Sequence, residues 1–241
     1  ATSDLMAGVA RTLTATLKDA AGNTVPTTGT TVTFAKSSGA GTVTGLGTAA
    51  SASGVASLDV SGGLVGAVTL KASITDPSSI DSNTVSFTVV VGVPSSLVAS
   101  GSTADLASGA TRELTATVKD DGGNTVPMGG LVRFSQPVGS GAVSGLGLVP
   151  MTLGVATITV TGTTSGSVTV PVFTDALPLL HGNITFSVVS GVVTQVVLSS
   201  ATGDLTSGDS RTLTATLKDA QGNTVTSAGT SVTFAKSAGA G

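Results

Sequence analysis

RTLTATLKD, residues 11–19, alternates apolar and polar side chains without a break from Leu13 to Lys18. A period of two puts Leu13, Ala15 and Leu17 on one face of an extended strand, with Thr14, Thr16 and Lys18 on the other. One face buried and one wet is the pattern of antiparallel sheet. The stretch returns as RELTATVKD at residues 112–120 and as RTLTATLKD at residues 211–219. Each copy runs on into Gly-Asn-Thr-Val (22–25, 123–126, 222–225) and then into a Val-x-Phe at Val32 and Phe34, Val132 and Phe134, Val232 and Phe234. A spacing of about a hundred residues exceeds a solenoid repeat and matches a whole small domain.

The register of the copies sets the expected organisation. Residues 93–100 (VPSSLVAS) precede Asp105 and Leu106, and residues 193–200 (VTQVVLSS) precede Asp204 and Leu205, whereas Asp4 and Leu5 have no such run before them. The copies therefore predict a domain lacking its first strand over 1–91, a complete domain over 92–190, and the N-terminal part of a third over 191–241. The connections around Gly92 and Gly191 are short and apolar, unlike a Gly/Ser tether, so successive domains are expected to stack end to end with little hinge motion.

Further alternating runs fill out each copy. Val68, Leu70, Ala72 and Ile74 alternate with Thr69, Lys71 and Ser73; Val85, Phe87 and Val89 with Ser86 and Thr88; Ala156, Ile158 and Val160 with Thr157 and Thr159. No window carries helical spacing with caps. About seven short strands in a hundred residues, separated by Gly-rich turns, read as an immunoglobulin-type Greek-key sandwich. The expected class is all-β: tandem immunoglobulin-like sandwiches in an end-to-end array with almost no helix. Pro171 is expected to face solvent on an edge strand or to lie at a bulge, because it has no N–H to give a ladder.

Composition narrows the function classes. The chain has no Cys, Trp or Tyr, six Phe, a single His, and only 10% charged residues with a net charge of −3. No basic stripe suggests a nucleic-acid partner. Hydrophobic residues make up 40% of the chain, but no apolar run is long enough for a spanning helix and no aromatic girdle marks a membrane barrel, so no membrane insertion is expected. With so few charges, the surface must be built largely of Thr, Ser, Gly and small apolar groups, which offer little repulsion between neighbouring molecules.

Chemistry has few candidates. His181 is alone and has no counterpart in the first copy, and without Cys neither a dyad nor a zinc site can be assembled, so no catalytic residue and no cofactor are expected. Calcium requires several carboxylates close together. Asp105, Asp120 and Asp121 are the calcium candidates, set against a competing reading in which single carboxylates at turns cap the backbone. That capping reading is favoured for the three Asp-x-x-Gly-Asn turns, formed by Asp19, Gly22 and Asn23, by Asp120, Gly123 and Asn124, and by Asp219, Gly222 and Asn223. There Asp accepts backbone N–H groups while Gly and Asn tolerate positive φ. Lys18, Lys119 and Lys218 alternate out of phase with the core and are expected in solvent.

LTATLKDAAGNTVP at 13–26 and LTATVKDDGGNTVP at 114–127, followed by Val-x-Phe, a Gly-rich stretch and Gly-Val-Ala at 54–56 and 154–156, resemble the bacterial immunoglobulin-like repeats of invasin- and intimin-type surface adhesins. The resemblance covers essentially the whole chain. It implies a non-enzymatic extracellular β-sandwich on the bacterial cell surface, serving as a stalk or spacer. Within that frame the low surface charge favours a structural repeat protein that packs with copies of itself into a rod, filament or sheath. The alternatives are the stalk of an adhesin whose tip, lying outside this segment, meets a host or neighbouring cell, and an accessory binding module of a secreted or phage protein.

Overall fold

The computed structural model describes residues 3–76, 78–135, 137–175, 179–226 and 229–238. The described residues form strands and turns without helix. The first copy contributes β1 (Leu5–Met6), β2 (Ala10–Thr16), β3 (Thr31–Ser38), β4 (Val43–Thr44), β5 (Gly47–Ala50), β6 (Val55–Gly62), β7 (Gly66–Ile74), β8 (Ile80–Asp81) and β9 (Val85–Val90). The second contributes β10 (Ser96–Gly101), β11 (Leu106–Ala107), β12 (Thr111–Lys119), β13 (Gly130–Phe134), β14 (Ala142–Ser144), β15 (Gly147–Met151), β16 (Val155–Thr164), β17 (Gly166–Thr174) and β18 (His181–Val189). From the third copy come β19 (Gln195–Ser199) and β20 (Thr214–Lys218). Short β-branched runs with a polar alternate face suit this pleated, half-buried setting.

In the second copy the order β10-β12-β16-β14 faces the order β11-β18-β17-β13-β15. The chain crosses between the sheets from β12 to β13 and again from β15 to β16, and β11 lies parallel to β18. This is the Greek-key, immunoglobulin-like sandwich. Its inward residues form one core: Leu97, Leu114, Ala116, Val118, Val132, Phe134, Val160, Val168, Val170, Val172 and Phe186 are all buried. The nine strands exceed the seven read from sequence because β11 and β14 are too short for alternation to reveal.

The first copy repeats this plan with β1-β9-β7-β3-β5 (β8 adding to β7) and β2-β6-β4. Among the described residues nothing corresponding to β10 lies beside β2. The consequence is seen in burial: Leu114, Ala116 and Val118 are 0% exposed, whereas their counterparts Leu13, Ala15 and Leu17 are only half-buried. The third copy's described residues pair β19 with β20 alone, leaving Val196, Leu198, Leu213 and Phe234 exposed. Residues 1–2 and 239–241, the extremes of the expected first and third units, lie outside the described residues.

Pro171 corrects its expectation in part. It sits in β17, which is paired on both sides and is not an edge strand. Its carbonyl accepts from Ser135 N–H at 2.9 Å, so its nitrogen also points toward β13. Among the described residues, the β13 ladder stops there at Phe134 opposite Val172, and the next pairing is the Val138–Thr169 bridge. The missing donor therefore falls at an interruption in the partner strand.

Candidate functional site

Each Asp-x-x-Gly-Asn segment closes into the same knot. The Asp N–H donates to the Asn carbonyl (2.9 Å for Asp19, 3.0 Å for Asp120 and Asp219), and the Gly N–H donates back to the Asp carbonyl. Gly22, Gly123 and Gly222 hold φ of 87°, 81° and 85°, left-handed values that explain glycine there. The carboxylate Oδ1 collects two backbone N–H groups in every copy: Ala21 and Asn23 on Asp19, Gly122 and Asn124 on Asp120, Gln221 and Asn223 on Asp219. The Asn amide leans onto the same carboxylate, at 3.1 Å from Asp19 Oδ2 and 3.0 Å from Asp120 Oδ1.

The sequence treats these knots as local turns. The structure places two of them in the joints between successive copies. Asn124 Nδ2 donates to the carbonyl of Gly63 at 2.9 Å, and Asn124 Oδ1 accepts from Val65 N–H at 2.9 Å. One asparagine thus reads a carbonyl and the N–H two residues on, both at the end of the preceding sandwich. The next joint repeats the pattern: Asn223 Nδ2 donates to Thr163 O at 2.8 Å and Asn223 Oδ1 accepts from Ser165 N–H at 2.9 Å. The remaining oxygen of each carboxylate ties down the connection, Asp120 Oδ2 accepting from Gly92 N–H at 2.8 Å and Asp219 Oδ2 from Gly191 N–H at 2.9 Å.

Asp120, Asn124, Asp219 and Asn223 are accordingly buried, while Asp19 and Asn23, with no sandwich against them, are exposed. Burial pushes the Asp219 carboxyl up, but the N–H of Gly191, the Asn223 amide and the N–H groups of Asn223 and Gln221 outweigh it. The carboxyl is held at about 2, below its ordinary 3.8. Asp120 is lowered through the same contest, burial against the donors led by Gly92. Asp19 is lowered chiefly by the Asn23 amide.

The joints differ where their sequences do. A Cβ on Gly122 would stand 2.3 Å from Gly63 O and 2.9 Å from the Ala7 Cβ, so the first joint closes backbone on backbone. In the second, Gln221 occupies that place and its Oε1 accepts from Ser108 Oγ at 3.1 Å, Ser108 standing where the first copy has Ala7. Ser108 also accepts from Asn223 Nδ2 at 2.8 Å.

A second recurrent contact escapes alternation analysis. Arg112 lies 4.6 Å over the Phe186 ring and donates to Asp105 O at 3.2 Å; Arg11 lies 4.8 Å over Phe87 and donates to Asp4 O at 2.8 Å. The recurring Asp before Leu therefore serves through its backbone carbonyl. Of the calcium candidates, Asp105 stands beside β11, Asp120 is saturated by N–H donors, and exposed Asp121 rests against Gly8 across the joint. Among the described residues no group of three or more His, Cys, Asp or Glu gathers to hold a metal. His181 is exposed at the start of β18. Lys18 is exposed, whereas Lys119 and Lys218 are half-buried and donate to Thr125 and Thr224 at 3.0 and 2.9 Å, bracing the knots.

No family model matches the chain. Among solved structures it is similar to the Escherichia coli adhesin FdeC, with 21% identity over 91% of this chain and 71% of that one and a TM-score of 0.40. It is similar to the D0-D1 domain of intimin at 22% identity, covering 76% of this chain and 93% of that one, with a TM-score of 0.31. Domains 1–6 of the surface layer protein SbsC match at 20% identity over 80% of this chain and 24% of that one, with a TM-score of 0.32. These likenesses are distant.

Proposed function

We propose that this chain is part of a non-enzymatic, extracellular structural array on the bacterial surface, in which immunoglobulin-like sandwiches are locked end to end into a stiff rod. The units are residues 1–91, 92–190 and the opening part of a third at 191–241. The observation that supports this best is the recurrence of one knot at both joints, with Asn124 and Asn223 gripping equivalent backbone groups of the sandwich before them. A flexible spacer has no use for a buried, fully bonded carboxylate at every connection. Low charge and a surface of small side chains suit contact with further copies. The stalk of an adhesin is the second reading, favoured by the resemblance of the repeats to those of invasin- and intimin-type proteins. Electron microscopy of the protein from its native source separates them. Filaments or sheets with a repeat matching the sandwiches support the structural polymer, separate thin rods support the stalk, and flexible beads with no preferred angle defeat the rigid-rod proposal altogether.

A further inference from the structure

The second copy carries a different outer face from its neighbours. In its five-stranded sheet Leu131 stands opposite Pro150, and Arg133 lies between Leu148 and Phe173. The first copy builds the same register from Thr31 opposite Ala50 and from Thr33 between Thr48 and Ser73. The third copy has Ser231 and Thr233 where the second has Leu131 and Arg133. Leu131, Leu148 and Phe173 are 42%, 46% and 36% exposed, and Leu153, in the turn after β15, is 71% exposed where the first copy has Ser53. None of the four belongs to the core of the sandwich. Large apolar groups at surface positions where a sister copy keeps hydroxyls mark a surface that meets a partner.

Asp175 N–H donates to Leu131 O at 2.9 Å, so the backbone groups of Leu131 turn toward β17 and those of Pro150, opposite it, turn to the open side of β15. Lacking an N–H there, β15 is a poor edge for an added strand, and the patch is approached through its face. That face carries both signs of charge: Arg133 Nη2 and Asp175 Oδ1 stand 3.4 Å apart, each side chain partly exposed. Two such faces related by a two-fold axis set each Arg133 against the other molecule's Asp175, so the patch is complementary to itself. Five strands about 4.8 Å apart, with up to nine residues at about 3.3 Å each, span about 20 by 30 Å. That is of the order of the roughly 800 Å² which each partner of a stable pair buries. We infer that this face is where molecules lie side by side, the outer sheet face of one second copy docking on the same face of another molecule's second copy. Leu131, Leu148 and Phe173 supply its apolar centre. Arg133 and Asp175 set its register, since a slip parts each cation from its anion. Because the first and third copies keep Thr, Ser or Ala at the matching positions, one sandwich in the row makes the contact and fixes the lateral alignment of the rods. The inference rests on the array proposal for the rod and adds the face by which rods meet.

Sedimentation velocity of the 241-residue chain over a concentration series tests it. A monomer–dimer equilibrium is expected. Leu131→Thr, Leu148→Thr and Phe173→Ser together install the first copy's residues in a register that already accepts them, and are expected to weaken the dimer about a hundredfold. Val98→Thr, which removes exposed apolar surface from β10 in the opposite sheet, is expected to leave it intact. A chain with Arg133→Asp presents two carboxylates at the charged positions, and one with Asp175→Arg presents two guanidiniums. Each is expected to pair with itself about tenfold more weakly, and their equimolar mixture to recover the affinity. A chain that stays monomeric, or a dimer indifferent to the triple substitution, overturns the contact. A mixture no tighter than its components overturns the two-fold, face-to-face arrangement. Small-angle scattering of the triple variant as a monomer separates this from failure of the array proposal, which falls only if the copies within one molecule prove unaligned.

Discussion

Asn124 donates its side-chain amide to the carbonyl of Gly63 at 2.9 Å, joining two sandwiches through residues 61 positions apart. The same side chain accepts from Val65 and leans on Asp120, so a single amide couples the turn of one copy to the end of the copy before. Truncating it leaves the buried Gly63 carbonyl and the part-buried Val65 N–H without this partner. Loss of Asn124 is expected to destabilise the second sandwich and its joint by about 1–3 kcal/mol. Asn23→Ala supplies the control in the same chain, since Asn23 makes the knot without a preceding sandwich. Thermal unfolding of the two variants at low concentration should show the larger loss for Asn124→Ala, with faster amide exchange at Val65. Equal losses would mean that the knot matters only as a turn.

The carboxylates give the joints an acid limit. Asp219 is held at about 2 against an ordinary 3.8, and Asp120 is also lowered. A depressed folded-state value means stability that is fully present above the unfolded value and is lost as pH falls through the folded one. The joints are therefore expected to hold at pH 4 and above, to weaken progressively below pH 4, and to release near pH 2. Fluorescence energy transfer between dyes on either side of the 191 connection, followed by acid titration, measures this. Asp219→Asn should flatten the titration at that joint and lower its coupling at neutral pH; an unchanged curve would remove Asp219 from the joint.

The Arg–Phe contact ties the two faces of a sandwich together. Arg112 enters from β12, its NH1 is buried without a hydrogen-bond partner, and the Phe186 ring of β18 lies beneath it. The ring's negative face is what makes that buried nitrogen tolerable. Phe186→Leu keeps an apolar side chain but removes the face, and a loss of about 0.5–2 kcal/mol is expected beyond the change in packed volume. Arg112→Leu with Phe186→Leu should recover part of it in a double-mutant cycle. Additive losses would show that Phe186 acts through packing alone.

Alternation carried the fold because each long strand has one buried face: Leu114, Ala116 and Val118 read as core and are core. Short strands such as β11 carry too few residues to alternate, and the Pro171 interruption depends on where a partner strand stops. The repeated Asp-Gly-Asn turn was visible as a turn. Its second role was not, because a side-chain amide that closes a turn and one that also grips a neighbour have the same local sequence. A signal existed in the residues between: Ala21, Gly122 and Gln221 all differ at the second variable position of Asp-x-x-Gly-Asn, as Ala7 and Ser108 do in the segments that meet it. Variation paired across a hundred residues is legible only once the joint is known.

That paired variation yields the sharpest test of joint specificity. At the first joint Gly122 leaves no room, with Gly63 O 2.3 Å and the Ala7 Cβ 2.9 Å from where its Cβ would stand. At the second, Gln221 is accommodated and bonds Ser108 at 3.1 Å. Gly122→Gln imports the second joint's residue without its partner. Overpacking of this kind is expected to cost about 1–3 kcal/mol, concentrated at the joint. Gln221→Gly removes one hydrogen bond and is expected to cost about 0.5–1.5 kcal/mol. Adding Ala7→Ser to Gly122→Gln supplies the hydroxyl that Gln221 uses and should return part of the loss, measurable as recovered coupling between the two unfolding transitions. If Gly122→Gln is silent, the backbone-on-backbone closure of the first joint is not what aligns the first two copies, and the alignment must come from the Asn124 grip alone.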